Sequence, residues 1–111
     1  MRLTSSMWVS AYLRRCQGEG AFGTVVRKGA EGAGAIFLKI NRLDRTCDLY
    51  GPAPQAMSDA DDEGWGGRRF ECLMAGCEEH EADARIAKER GFDPDLWLVE
   101  IEDRQGRAFL D

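Results

Sequence analysis

Residues 34–54 alternate apolar and polar side chains in two successive runs, and few local structures accept such a pattern. Ile36, Leu38 and Ile40 alternate with Phe37, Lys39 and Asn41, the two-residue period of a half-buried strand. Cys47 and Leu49 then alternate with Asp48 and Tyr50. A two-residue turn at Asp44-Arg45 sets Ile40 opposite Leu49 and Lys39 opposite Tyr50, gathering one apolar face. A one-residue slip would destroy that face, because neighbouring side chains point to opposite sides. Gly51-Pro52 ends the pairing, since proline has no amide hydrogen for the ladder. The hairpin is therefore expected at the centre of a small antiparallel sheet.

The flanks supply the rest of the sheet and its cover. Ser5 or Ser6 can cap a helix beginning near Met7, whose apolar stripe is Val9, Leu13 and Cys16, with Trp8 and Tyr12 four apart. Gly18 and Gly20 end it, and a strand follows over 22–28. Residues 29–34, rich in glycine, make the turn into the hairpin. A short strand is expected over 68–74 and a helix over 78–90, with glutamates in its first turn and a Glu81–Arg85 pair. Gly91 closes that helix, and Phe92 folds back over its end. Residues 96–102 form a strand, and Ala108, Phe109 and Leu110 a short returning one. The fold class is α+β: a small antiparallel sheet of about four to six strands with two helices packed on one face. One domain spans 1–111, and 55–67 form an acidic surface loop.

Composition excludes some classes. No apolar run is long enough for a membrane span, and no signal segment follows Met1-Arg2-Leu3. Four cysteines without an export signal are expected as free thiols in a reducing cytoplasm. Residues 1–50 carry eight Lys/Arg against four Asp/Glu, and 51–111 carry seven against sixteen. The basic first half invites a nucleic-acid reading with Phe37 and Tyr50 as stacking residues, but the isoelectric point near 4.9 argues against it.

Gly18-x-Gly20-x-x-Gly23 matches a kinase phosphate loop, and Lys39 follows where a phosphate-pairing lysine belongs. The chain is too short for two lobes and lacks the catalytic motifs, so no nucleotide is expected. Cys72, Cys77 and His80, with Cys47, offer zinc-type ligands, but at a spacing of no usual closed site, so no metal is expected. Asp59, Asp61, Asp62 and Glu63 lack the glycine and terminal glutamate of a calcium loop. Only one histidine is present, on a glutamate-rich helix start, and no nucleophile–base pair is supported. No catalytic residue and no cofactor are assigned.

Two motifs, Leu49-Tyr50-Gly51-Pro52-Ala53-Pro54 and 92–100 (Phe-Asp-Pro-Asp-Leu-Trp-Leu-Val-Glu), resemble a small, mainly alphaproteobacterial family catalogued as domain of unknown function 1491. Trp8-Val9, Arg14-Arg15 and Arg27-Lys28-Gly29 extend the likeness over almost the whole chain. The resemblance implies a stand-alone cytoplasmic domain and brings no activity, substrate or catalytic residue. What remains is a non-enzymatic interaction module that binds a protein partner or a second copy of itself. The alternatives are an enzyme without a recognisable signature, or a nucleic-acid-binding domain that uses the basic N-terminal half. The expected contact surface is the hairpin face turned away from the helices: Phe37, Lys39, Asn41, Asp48 and Tyr50, a mixture of aromatics, a cation, an amide and a carboxylate.

Overall fold

The computed structural model describes residues 3–54 and 65–110. The expectations for the acidic residues 59–63 and for the side chain of Trp65 lie outside what it describes. The chain runs α1 (Ser5–Gly18), β1 (Phe22–Arg27), β2 (Ile36–Asn41), β3 (Thr46–Pro52), a short 3-10 turn (Trp65–Gly67), β4 (Phe70–Glu78), α2 (Glu79–Phe92) and β5 (Trp97–Glu102).

Helix α1 forms where its spacing dictates. Thr4, one residue before the expected serines, is the cap, its hydroxyl accepting from the Met7 amide at 3.2 Å. Ser5 instead turns inward and donates to the Gly34 carbonyl at 2.6 Å. Trp8, Val9, Tyr12 and Cys16 are buried, and burying each large one contributes about 2 kcal/mol. Trp8 stacks on Tyr12 at 4.8 Å between centroids, and Phe70 closes on Trp8 at 5.0 Å. Helix α2 opens with a capping box between Glu78 and Glu81, which takes the Glu81 side chain away from Arg85. Arg85 pairs with Glu89 instead, at 2.8 Å. Phe92 is the last helical residue and is exposed, not folded back.

The sheet has five strands in the order β1-β5-β2-β3-β4. All pairs are antiparallel except β2–β5, which is parallel. The α+β class and the mostly antiparallel sheet are as the sequence predicts, but three details differ. First, β5 inserts between β1 and β2, which therefore do not pair. Second, the hairpin register is shifted by one: Lys39 lies opposite Leu49 and Ile40 opposite Asp48. The loop is three residues, not two, with Arg42 N–H bonded to the Thr46 carbonyl, and with Leu43 and Arg45 at positive φ. Asn41 Oδ1 accepts from the Leu43 amide and Asp44 Oδ1 from the Thr46 amide, which supports a conformation usually left to glycine.

Third, the helices do not share a face. Ile36, Leu38 and Ile40 pack with Trp97, Val99 and Ile101 against α1. Phe37, Leu49 and Leu98 pack on the other side against Ile86, while Cys47 and Cys77 meet Ala82, both from α2. Strand β2 is buried on both sides, which is why it lies inside the sheet.

Residues 29–34 are more than a turn. Ala30 N–H reaches the Asp95 carbonyl, Ala35 N–H reaches Asp93 Oδ2 at 3.0 Å, and Trp97 Nε1 donates to the Ala30 carbonyl at 2.8 Å. The second motif thus clamps the connection into β2. After β5 no returning strand forms. The Asp103 carboxylate instead takes the backbone and guanidinium of Arg107, and Phe109, at positive φ, turns into the core. Tyr12 hydroxyl donates to the Ala108 carbonyl at 2.7 Å, fastening this segment to α1.

Candidate functional site

The register shift decides the fate of the expected contact face. Phe37, Lys39 and Asn41 point to the α2 side, whereas Asp48 and Tyr50 point to the α1 side. Phe37, Lys39 and Asp48 are buried, and Asn41 and Tyr50 are half-buried. The five residues do not form one surface.

On the α2 side they build a polar cluster. Lys39 Nζ lies 2.6 Å from Glu79 Oε1, 3.7 Å from Asp83 Oδ1 and 3.6 Å from Glu100 Oε1. Asn41 donates to the second Glu100 oxygen at 3.2 Å. Burial works against the charged ammonium, but the Glu79 hydrogen bond and the charges of Glu100, Asp83 and Glu79 outweigh it, so Lys39 is held more firmly protonated than usual. A lysine so held is a fixed cation, not a nucleophile. Beside it a shallow cleft is lined by Arg45, Thr46, Glu78, Glu79, His80 and Asp83. His80 sits at its rim, exposed, with Nδ1 3.1 Å from Glu78 Oε2.

On the α1 side Asp48 is the anchor. One of its oxygens accepts from Arg42 Nε and Nη2 at 3.1 and 2.8 Å, and the other from the Gly76 amide at 2.8 Å. With both Arg42 nitrogens on one oxygen and the Gly76 amide on the other, Asp48 ties the hairpin loop to β4 at its irregular stretch.

The zinc-type residues are dispersed. Cys77 pairs with Cys47 on the α2 side, Sγ to Sγ 3.6 Å, while Cys72 is exposed across from Tyr50. Among the described residues no three His, Cys, Asp or Glu gather as metal ligands. Of the kinase-like glycines, Gly23 serves packing: a Cβ there would lie 2.6 Å from Ile101 Cδ1 and 2.7 Å from Leu13 Cδ2, while Gly20 has a positive φ. Arg27 and Arg42 do not join one basic patch either. Arg27 donates to the Leu96 and Pro94 carbonyls at 2.8 and 2.9 Å, far along the sheet from Asp48.

One surface was missed by the sequence reading. Strand β1 is an edge, and Phe22, Val25 and Val26 on it are exposed by 63, 37 and 53 %. The strand carries no charged side chain before Arg27. Its pairing with β5 breaks at Val26, which bulges outward. The opposite edge, β4, is different: Glu71 and Glu78 are exposed along it, its pairing is irregular, and Gly76 has a positive φ. Charges and bulges of that kind protect an edge from further pairing. The β1 edge has only its single bulge. The signal was present as three large apolar residues in a six-residue strand whose only charge is terminal.

With the geometry in place, the chain can be compared with others. Residues 3–111 match the family described as protein of unknown function (DUF1491). The chain belongs to that family. A solution structure of protein Atu0922 from A. tumefaciens is similar, with 49 % identity and a TM-score of 0.83 over 99 % of this chain and 93 % of that one. A crystal structure of a DUF1491 family protein from Caulobacter crescentus is 37 % identical, with a TM-score of 0.78 over 99 and 94 %. An NMR structure of a DUF1491 family protein from the same organism is 39 % identical, with a TM-score of 0.76 over 99 and 94 %. No curated protein matches. The family's two motifs now have structural roles: Asp93 and Asp95 clamp the 29–35 connection, and Gly51 leaves room for the Phe37 ring and Leu73. Among the described residues no helix is long and apolar enough to cross a membrane.

Proposed function

We propose that this DUF1491 protein is a small, non-enzymatic cytoplasmic interaction module, and that its contact surface is the β1 edge. The observation that carries this is the contrast between the two sheet edges. A free edge offers a row of backbone donors and acceptors, and an extended chain added there gains a full ladder of hydrogen bonds. At β4 that row is guarded; at β1 it is flanked by Phe22, Val25 and Val26. Exposed apolar side chains beside unpaired backbone give such a ladder both affinity and side-chain specificity. The polar clusters around Lys39 and Asp48 hold the sheet rigid behind it.

The test is site-directed photo-crosslinking in cells. A photoreactive amino acid at Phe22 or Val26 should give discrete protein adducts, and the same group at exposed Lys88 on α2 should not. Adducts no stronger at β1 than at the α2 control would remove the proposal.

A further inference from the structure

We propose that the occupant of the β1 edge is a second copy of this chain, added antiparallel across a two-fold axis. This rests on the β1 edge being the contact surface, and goes further by naming what it takes.

The charge along the edge identifies the partner. One end of β1 carries the exposed Lys28, beside Arg27, whose guanidinium is held on the Leu96 and Pro94 carbonyls. The other end carries two carboxylates: Glu102 of β5, opposite Phe22, and Glu19, which caps α1 three residues earlier with Arg107 near it. A two-fold axis through the middle of an edge strand superposes each strand's start on the other's finish. An antiparallel register centred near residue 24 therefore brings the Lys28 end of one copy to the Glu19 and Glu102 end of the other. A partner that ran parallel would place like charges together. The chain carries the complement of its own edge.

The apolar residues follow the same symmetry. Phe22 lies near the start of the strand and Val26 near its end, so each phenyl ring meets the other copy's exposed valine. Val25, near the centre, meets its own region. The new ladder spans only about five residues a side, 22–26, so the contact is small and the dimer weak and reversible. The product is a ten-stranded sheet continuous across two molecules, with β4 as the outer edge of each.

Sedimentation velocity from micromolar to millimolar concentration tests this. The wild type should show a reversible monomer–dimer equilibrium. Val26→Lys should leave only monomer at an unchanged melting temperature. Lys28→Glu and Glu102→Lys should each weaken the dimer about tenfold, since two charge pairs are inverted in each dimer. An equimolar mixture of those two variants should recover the wild-type affinity, because in the mixed dimer one pair keeps its native sense, the other is reversed, and both are attractive. A chain that stays monomeric throughout, or a dimer indifferent to these changes, overturns the proposal. If the chain is monomeric while β1 crosslinks to a protein of another mass, the edge is the contact surface but the second copy is not its occupant. The mixing experiment uses the exposed Lys28 and the half-buried Glu102 and leaves Val26 unchanged, so its outcome stands even if Val26→Lys lowers stability.

Discussion

Lys39 Nζ and Glu79 Oε1 are 2.6 Å apart, joining the centre of the sheet to the first turn of α2. The lysine side chain is 5 % exposed and the glutamate 65 %, so the two partners contribute unequally. Removing Glu79 leaves Asp83 and Glu100 beside the ammonium, and Glu79→Gln should cost under ~1 kcal/mol. Lys39→Ala empties a buried site and strands the Glu100 carboxylate, and should cost about 2–3 kcal/mol. Lys39→Met, which refills the volume, should cost less than Lys39→Ala. Urea denaturation of the three variants ranks them. A larger loss for Glu79→Gln than for Lys39→Ala would contradict the assignment.

The same pair sets a pH window. The Lys39 hydrogen bond and charge hold the Glu79 carboxyl below its usual range. A carboxyl depressed in the fold adds stability above its unfolded pKa, and that stability fades as pH falls through the folded value. Lys39 is raised in the fold, so its contribution is complete below the usual lysine pKa and is lost as pH rises through the folded one. Stability should therefore decline below pH ~4 and above pH ~10.5, and Glu79→Gln should flatten part of the acid limb. An acid limb unchanged by Glu79→Gln would show that the pair plays no part in it.

Gly29 and Gly34 both sit against the backbone at Asp95. A Cβ on either would stand 2.0 Å from the Asp95 carbonyl oxygen, and at Gly29 also 2.6 Å from that of Leu96. Backbone cannot swing aside as a side chain can. Gly29→Ala and Gly34→Ala should each destabilise by about 2–4 kcal/mol, whereas Gly32→Ala, with open space around it, should be within ~0.5 kcal/mol of wild type. Thermal unfolding of the three variants checks the ordering, and equal melting temperatures would show that the 93–97 clamp is not rigid.

The cysteines should separate sharply by reactivity. Cys72 is exposed, whereas Cys16, Cys47 and Cys77 are buried. Burial pushes the Cys47 thiol up to about 12, with Cys77 beside it adding to the effect, and burial pushes Cys16 up to about 11. Burial and the Asp48 charge raise the Cys72 thiol as well, so access decides: a charged disulfide reagent at pH 8 should modify the exposed Cys72 and reach the other three only on unfolding. Prompt modification of more than one thiol in the native protein would contradict this packing.

Much of the fold was legible because local rules acted alone. The apolar spacing of Trp8, Val9, Tyr12 and Cys16, and the glutamates before Ala82 and Ile86, fix both helices without reference to anything distant. The hairpin was legible too, but not its register. Leu43 and Arg45 take up left-handed backbone that residue type does not announce, and one extra loop residue exchanges the faces of Asp48 and Tyr50. The insertion of β5 beside β2 was hidden for another reason. It joins residues about sixty positions apart, and no local pattern encodes such a pairing. A trace of it was visible in Phe37 and Leu98, apolar residues on what should have been the polar face. They mark strands buried on both sides, and hence a helix on each. The five candidate site residues were gathered on one face by alternation from a pairing one residue out, so in the structure they divide between the two faces.

The β1 edge is most directly tested by amide hydrogen exchange at two protein concentrations. In a dilute sample, those amides of residues 22–26 that point away from β5 should exchange rapidly. In a concentrated sample they should become protected, while exchange at the β4 edge stays as it was. Equal exchange of residues 22–26 at both concentrations, or protection rising at β4 instead, would contradict the account.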